Sequence, residues 1–240
     1  MRLASTPCDR PRWRVERLYR NADNELQRSL EALGYYAYTA EKELSFKDPA
    51  CWAATFTVQL GAPVVLDEVR LSINGEARDF PRIVAEIDGR RPETGSVFNH
   101  GTYEAYKRSA LTLLSNRGFL AAEFTRSTVV VNEALTSALV DIEIESGRRH
   151  RFGELSYTGG ILEDAILRSY STFESGDYYD SGAISRLHER LRGSGFFSSV
   201  SIRADSVDTS LDVPVIVTLQ PAKRHRFSAG AGYSTDTGPR

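Results

Sequence analysis

Three stretches of this chain carry apolar residues at helical spacing, and after each of them the period drops to two. In the first, Leu18, Ala22, Leu26, Leu30 and Leu33 fall on one stripe. In the second, Tyr103, Tyr106, Ala110 and Leu113 or Leu114 do so, and in the third Ile184, Leu187 and Leu191. A 3.6-residue period held over several turns predicts amphipathic helices. Each stripe runs into the same signal, Leu-x-x-x-Gly-aromatic: Leu30 to Gly34 and Tyr35, Leu114 to Gly118 and Phe119, Leu191 to Gly195 and Phe196. Glycine just past a helix end takes positive φ without steric cost. The aromatic residue after it is expected to pack back over the last turn.

Two alternating runs follow each helix. The first pair is Tyr36–Phe46, then Trp52, Ala54, Phe56, Val58 and Leu60. The second is Phe119–Val131, then Val140, Ile142 and Ile144; the third is Val200, Ile202 and Ala204, then Val213, Val215, Val217 and Leu219. Strict alternation buries one face and wets the other, so each pair predicts an antiparallel hairpin packed on the preceding helix. Upstream, the second and third repeats add a strand and a short helix. These are Val69, Leu71 and Ile73 with a helix near Pro81–Asp88, and Leu155 and Tyr157 with a helix over Leu162–Ser171.

The unit is therefore β-α-α-β-β in roughly 75 to 85 residues, repeated head to tail. The fold class is α+β. Residues 1–62 form a partial first repeat without its opening strand and first helix, and 63–147 and 148–224 are complete. Each complete repeat is expected to be a three-stranded sheet covered on one face by two helices. Leu30, Leu114 and Leu191 are expected at equivalent buried sites.

The tetrapeptide RHRF occurs at Arg149–Phe152 and again at Arg224–Phe227, each time where the last strand of a repeat ends. The first copy leads into another β-α-α-β-β unit. The second leads into Phe227, Ala229, Ala231 and Tyr233, alternating with Ser228, Gly230, Gly232 and Ser234, and then into TDTGPR. A strand so rich in glycine suits a soluble core poorly, whereas alternation ending in an aromatic residue is the pattern of a transmembrane barrel strand. The expectation is a first barrel strand over residues 225–240, with 228–240 exposed and unpaired within this chain.

The repeated unit with its Gly-aromatic junction resembles the polypeptide-transport-associated (POTRA) domain. GYSTDTGPR resembles the start of the barrel in TamA-like outer-membrane assembly factors, and EALGYY and VQLGAPV are similar to helix ends and strand exits of that family. The resemblance runs from about Arg14 to Arg240. It implies tandem POTRA domains at the periplasmic face of a bacterial outer membrane, ahead of a 16-stranded barrel of which this chain has one strand. The implied partners are unfolded outer-membrane or autotransporter clients, the inner-membrane subunit of the translocation and assembly module, and the outer membrane itself through the barrel. Related readings are a two-partner secretion transporter or another assembly factor; a barrel-less periplasmic scaffold is the rival from a different class. In the family the last strand of each unit is central and the strand before it lies at an edge. The implied partner-binding edges are Phe124–Val131 and Ser199–Ala204, with Phe124, Arg126, Thr128, Val130, Ser199, Ser201 and Arg203 as contact residues. An edge offers unpaired N–H and C=O groups to an extended partner of almost any sequence.

Composition agrees with a globular binding module. Charged residues make up 26% and hydrophobic ones 41%, the net charge is −2, and there is no basic stripe of the kind nucleic acid requires. No apolar run approaches the ~20 residues of a membrane-spanning helix, and the N-terminal residues lack the apolar stretch of a signal peptide. Cys8 and Cys51 either form one disulfide in an oxidising compartment or remain unrelated thiols. Catalytic constellations fail on inspection. His100, His150, His188 and His225 have no metal-ligand spacing, and there is no GxSxG elbow. Gly230 and Gly232 lack the third glycine and the helix of a dinucleotide loop. Asp141, Glu143 and Glu145 share the wet face of one strand, and Asp180 or Ser181 is the expected cap of the third long helix. The basic groups at RRHR and KRHR either solvate domain junctions or touch lipid headgroups. No enzyme activity, metal or cofactor is expected.

Overall fold

The computed structural model describes residues 3–8, 10–48, 51–160, 162–205, 210–223, 233–234 and 238–239. Two compact units are present, Met1–Ser115 with Ala121–Arg148, and Asn116–Leu120 with Arg149–Arg240.

The first unit opens on α1 (Arg12–Ala32), followed by the antiparallel hairpin β1 (Thr39–Asp48) and β2 (Cys51–Gln59). Val15 and Ala22 of α1 are buried with Leu3, against Leu44, Phe46, Trp52, Ala54 and Phe56. A disulfide joins Cys8 to Cys51 across 43 residues, and Trp52 Nε1 donates to the Pro7 carbonyl at 3.3 Å. Closing a loop of that length removes chain entropy worth about 4 kcal/mol from the unfolded state. This small core covers α1 only in part. Leu30 is half-buried and Leu33 is 51% exposed, contrary to the expected continuous stripe, because one two-stranded hairpin is too narrow to reach the helix's C-terminal end.

The rest of the first unit holds β3 (Val65–Asn74), a 3-10 turn (Glu76–Asp79), α2 (Pro81–Asp88), α3 (His100–Asn116), β4 (Glu123–Val131) and β5 (Ser137–Glu145). The sheet order is β3-β5-β4, with β3 parallel and β4 antiparallel to the central β5. Pro81 suits the first turn of α2, where its missing N–H is not needed. Val140, Ile142 and Ile144 of β5 and Tyr103, Tyr106, Ala110, Leu113 and Leu114 of α3 are buried.

The second unit has the same plan with β6 (Arg151–Thr158), α4 (Asp164–Arg168), α5 (Ser181–Gly193), β7 (Phe197–Ala204) and β8 (Asp212–Pro221), in sheet order β6-β8-β7. α4 is shorter than the helix expected over Leu162–Ser171. Asp180 caps α5, its Oδ1 accepting from the Ala183 N–H at 3.2 Å. Leu167, Leu187 and Leu191 pack with Phe152, Val215, Val217 and Leu219. Leu114 and Leu191 are both fully buried, as the helical stripes require.

The three helix-end glycines take positive φ: +88° at Gly34, +95° at Gly118 and +76° at Gly195. At Gly34 the Tyr35 N–H reaches back to the Leu30 carbonyl at 2.9 Å, and the Val64 N–H bonds the Gly34 carbonyl at 2.8 Å. Gly118 receives the His150 N–H in the same way at 2.8 Å. The aromatic residues that follow diverge. Phe119 is fully buried and Tyr35 half-buried, but Phe196 is 48% exposed and Phe197 is buried in its place. At the third corner the strand exit bonds one residue later, the Ala222 N–H reaching the Phe196 carbonyl at 2.8 Å rather than the glycine carbonyl.

The tail differs from expectation. Tyr233–Ser234 (β9) pairs antiparallel with Gly238–Pro239 (β10). A local fold-back satisfies backbone groups that a lone strand would leave open. The second RHRF and the run from Phe227 to Gly232 lie outside the described residues.

Candidate functional site

In each three-stranded sheet the chain itself covers the start of one edge strand. Along β3, the Leu66 N–H bonds the Ser96 carbonyl and the Gly95 N–H bonds the Leu66 carbonyl, both at 2.8 Å. Val65 bridges Val97, and Arg91 donates to the Val69 carbonyl at 2.7 Å. Along β6, the Phe152 N–H bonds the Asp177 carbonyl at 2.8 Å and the Gly176 N–H bonds the Phe152 carbonyl at 2.7 Å. Arg151 bridges Tyr178 and donates to the Gly176 carbonyl at 2.6 Å. The segment leading into each long helix thus straps the first strand at its N-terminal end, over Val65–Leu66 in β3 and Arg151–Phe152 in β6. β4 and β7 lie at the opposite edges of the two sheets.

The candidate contact residues are distributed along these edges with one change of phase. Arg126, Thr128 and Val130 of β4 are exposed, Val130 at 60%. Phe124 is not on their face. The pairing with β5 skips Thr125, and this bulge turns Phe124 to the half-buried side with Ser127, Val129 and Val131. On that side the hydroxyls of Ser127 and Tyr103 are hydrogen-bonded at 2.6 Å, and the Lys107 ammonium lies 5.2 Å from the Phe124 ring. In β7 the bulge falls at Ser198, whose hydroxyl donates to the Pro221 carbonyl at 3.1 Å, and Ser199, Ser201 and Arg203 share the exposed face. A bulge adds one residue and sharpens the local twist. Its sequence trace is a pair of polar residues where alternation allows one: Thr125-Arg126 and Ser198-Ser199.

The polar clusters noticed in the sequence are structural. Arg126 pairs with Asp141 at 2.9 Å and Glu143 at 3.2 Å, Glu143 also accepts from Asn74 Nδ2 at 2.7 Å, and Glu145 accepts from the Gly147 N–H at 3.0 Å. These bonds tie all three strands across the exposed face. His150 is buried, its Nδ1 hydrogen-bonded to the Gly118 carbonyl at 3.0 Å. Arg149 and Arg151 place their guanidinium groups 4.2 and 4.3 Å from the Tyr178 ring centroid, and Arg149 donates to the Arg117 carbonyl at 2.7 Å. The first RHRF is a packing element of the helix-exit segment, and Arg117 adds a 2.9 Å ion pair to Asp180. His100 is hydrogen-bonded to the Tyr36 hydroxyl at 3.0 Å, His188 is half-buried on α5, and His225 is outside the described residues. Burial pushes the Tyr157 hydroxyl, which donates to the Leu167 carbonyl at 3.0 Å, up to about 12. Among the described residues, no group of three or more His, Cys, Asp or Glu could hold a metal ion.

Comparison with known families agrees with this architecture. Residues 1–60 match the family model for TamA POTRA domain 1, and residues 150–222 match the POTRA model described as a surface antigen variable number repeat. This is a chain of POTRA domains. POTRA domains of Omp85-family assembly factors are non-catalytic. Two similar solved structures come from Haemophilus. The POTRA3-5 region of BamA from Haemophilus influenzae is 21% identical, with a TM-score of 0.49 over 83% of this chain and 80% of that one. BamA from Haemophilus ducreyi lacking POTRA domains 1-3 is 19% identical, with a TM-score of 0.52 over 66% of this chain. The matched POTRA chain spans only 29% of that second structure's length.

Proposed function

We propose that this chain is the periplasmic POTRA region of a TamA-like assembly factor of the bacterial outer membrane. It receives extended client strands at β4 and β7 and passes them toward a barrel. The observation that supports this reading is that β4 and β7 are edge strands whose outer side no backbone bond closes among the described residues, whereas β3 and β6 are strapped at their start. β4 presents Arg126, Thr128 and Val130 outward and β7 presents Ser199, Ser201 and Arg203, a mixed surface that accepts many client sequences through main-chain bonds. The repeats divide at 1–62, 63–147 and 148–224, with the first truncated; 225–240 starts the barrel, through which the arm is held at the outer membrane. Autotransporter and other outer-membrane precursors are the clients, and the inner-membrane subunit of the translocation and assembly module is the partner.

Photo-crosslinkers at Thr128 and Ser201 test this with an urea-unfolded outer-membrane protein diluted into the intact chain. Both positions should capture client, and Val130→Lys with Ser199→Lys should reduce capture severalfold while the far-UV spectrum is unchanged. Crosslinks confined to β3, β6 or the helices would overturn the assignment.

A further inference from the structure

The second and third repeats strap their first strands in the same register. The Leu66 N–H and C=O bond Ser96 and Gly95, as those of Phe152 bond Asp177 and Gly176. The same turn precedes each contact, closed by the Ser96 N–H on the Glu93 carbonyl at 3.3 Å and by the Asp177 N–H on the Glu174 carbonyl at 3.2 Å. The strap then ends at a helix cap, Asn99 Oδ1 accepting from the Thr102 N–H where Asp180 Oδ1 accepts from that of Ala183. Leu66 thus takes the place of Phe152, Pro92 that of Phe173, and Phe98 that of Tyr179.

In the third repeat those places hold three rings. Phe152 stacks on Phe173 with centroids 3.8 Å apart and meets Tyr179 at 5.0 Å, and both phenylalanines are buried. In the second repeat only the Phe98 ring remains. Leucine and proline are smaller than the phenylalanines they replace, and beside them lies a cavity of about 270 Å³ whose apolar wall is Leu66, Pro92, Val97, Phe98, Tyr103 and Val140. Leu66, Phe98, Tyr103 and Val140 are buried, whereas Val97 is 45% exposed, so the cavity is reachable from solvent. Of the polar neighbours, Ser96 Oγ donates to the Glu93 carbonyl at 2.6 Å and Asn99 Oδ1 serves as the cap, so neither calls for a polar ligand. The volume lies just below the roughly 300–1,000 Å³ of small-molecule pockets, which is room for one side chain rather than a whole cofactor.

We propose that the cavity under the strap of the second repeat is a pocket for one aromatic side chain carried by a partner polypeptide. The third repeat shows what fits, because there the chain fills the equivalent place with its own stacked rings. An apolar cavity stays dry when empty and accepts an aromatic ring without displacing bound water. The guest ring meets Phe98 and Tyr103, and rings in contact favour offset or edge-on approach. Recognition here is by side chain and not by main-chain pairing. It does not rest on the client edges, since β3 and β4 lie on opposite sides of β5.

The probe is the end-blocked pentapeptide Gly-Gly-Phe-Gly-Gly, titrated into the intact chain with leucine and valine methyls labelled for NMR. One buried ring supports a millimolar dissociation constant at best. The methyl signals of Leu66, Val97 and Val140 should move by ring current and saturate, while that of Val215, the counterpart of Val140 in the filled third repeat, stays in place. The Gly-Gly-Ala-Gly-Gly peptide should move none of them. Leu66→Phe with Pro92→Phe, which rebuilds the ring pair of the third repeat, should weaken binding about tenfold or more. Val130→Lys with Ser199→Lys should leave it unchanged, which separates this site from the client edges. The proposal falls if the phenylalanine peptide moves no methyl of the pocket, moves Val215 equally, or is matched by the alanine peptide. It falls also if the filled variant binds as well as the unsubstituted chain. The methyl shifts of the unsubstituted chain decide the matter even if the filled variant fails to fold.

Discussion

Replacing the helix-end glycines one at a time by alanine should separate two roles that their common sequence signature merges. All three sit at positive φ, where an L side chain costs roughly 1–2 kcal/mol. Alanine recovers roughly 0.4–1 kcal/mol by restricting the unfolded chain. For Gly195 nothing in the described structure stands within 4 Å of an added Cβ, so the net loss should be about 1 kcal/mol or less. At Gly118 the new Cβ would lie 3.0 Å from the Tyr179 carbonyl oxygen and 3.2 Å from that of His150. Both are backbone atoms held by hydrogen bonds, so relief requires small main-chain shifts and the total should reach about 1–3 kcal/mol. At Gly34 the Phe98 carbonyl oxygen would be closest of all, and either the bond from the Val64 N–H or the strap itself must give way. A loss of about 2–5 kcal/mol follows there from strain and overpacking together. Urea unfolding measures the series. Both tryptophans, Trp13 and Trp52, belong to the first unit, so their fluorescence reports Gly34→Ala, while circular dichroism follows the whole chain and Gly118→Ala. The expected order of loss is Gly34, Gly118, Gly195 at constant m-value. Equal losses at the three sites would refute the reasoning, since strain alone would then account for them and the close backbone approach would contribute nothing.

Core truncations should divide the same way. Leu114→Ala and Leu191→Ala, both at fully buried sites, should each cost about 2–5 kcal/mol, whereas half-buried Leu30→Ala should cost about 1 kcal/mol in the same denaturation experiment. Alkaline unfolding gives a third check. Tyr157 titrates near 10.0 when unfolded and at about 12 when folded, so the folded state holds its proton longer. Its contribution is complete below about pH 10 and is lost as pH rises toward 12, and Tyr157→Phe should flatten that part of the stability profile.

The order of elements, the three helix-end glycines and the two complete repeats were legible in the chain because each depends on neighbours close in sequence. An apolar stripe makes a helix amphipathic wherever it packs, and glycine past a helix end can turn left-handed whatever lies above it. The N-cap at Asp180 and the wet face of β5 follow from the same local rules. Burial does not. Leu30 and Leu191 occupy the same place in the same motif, but one meets the narrow β1-β2 hairpin and the other a three-stranded sheet. Phe196 repeats the signature of Phe119, yet Phe119 is buried and Phe196 is exposed, because a residue's cover comes from chain dozens of positions away. The bulges at Thr125 and Ser198, which moved Phe124 off the predicted contact face, exist only as mismatches between two paired strands. The state of each sheet edge is likewise a property of three dimensions. Periodicity identifies a strand, but whether its second side is strapped, as at the start of β3 and β6, or open, as in β4 and β7, depends on where distant loops come to rest.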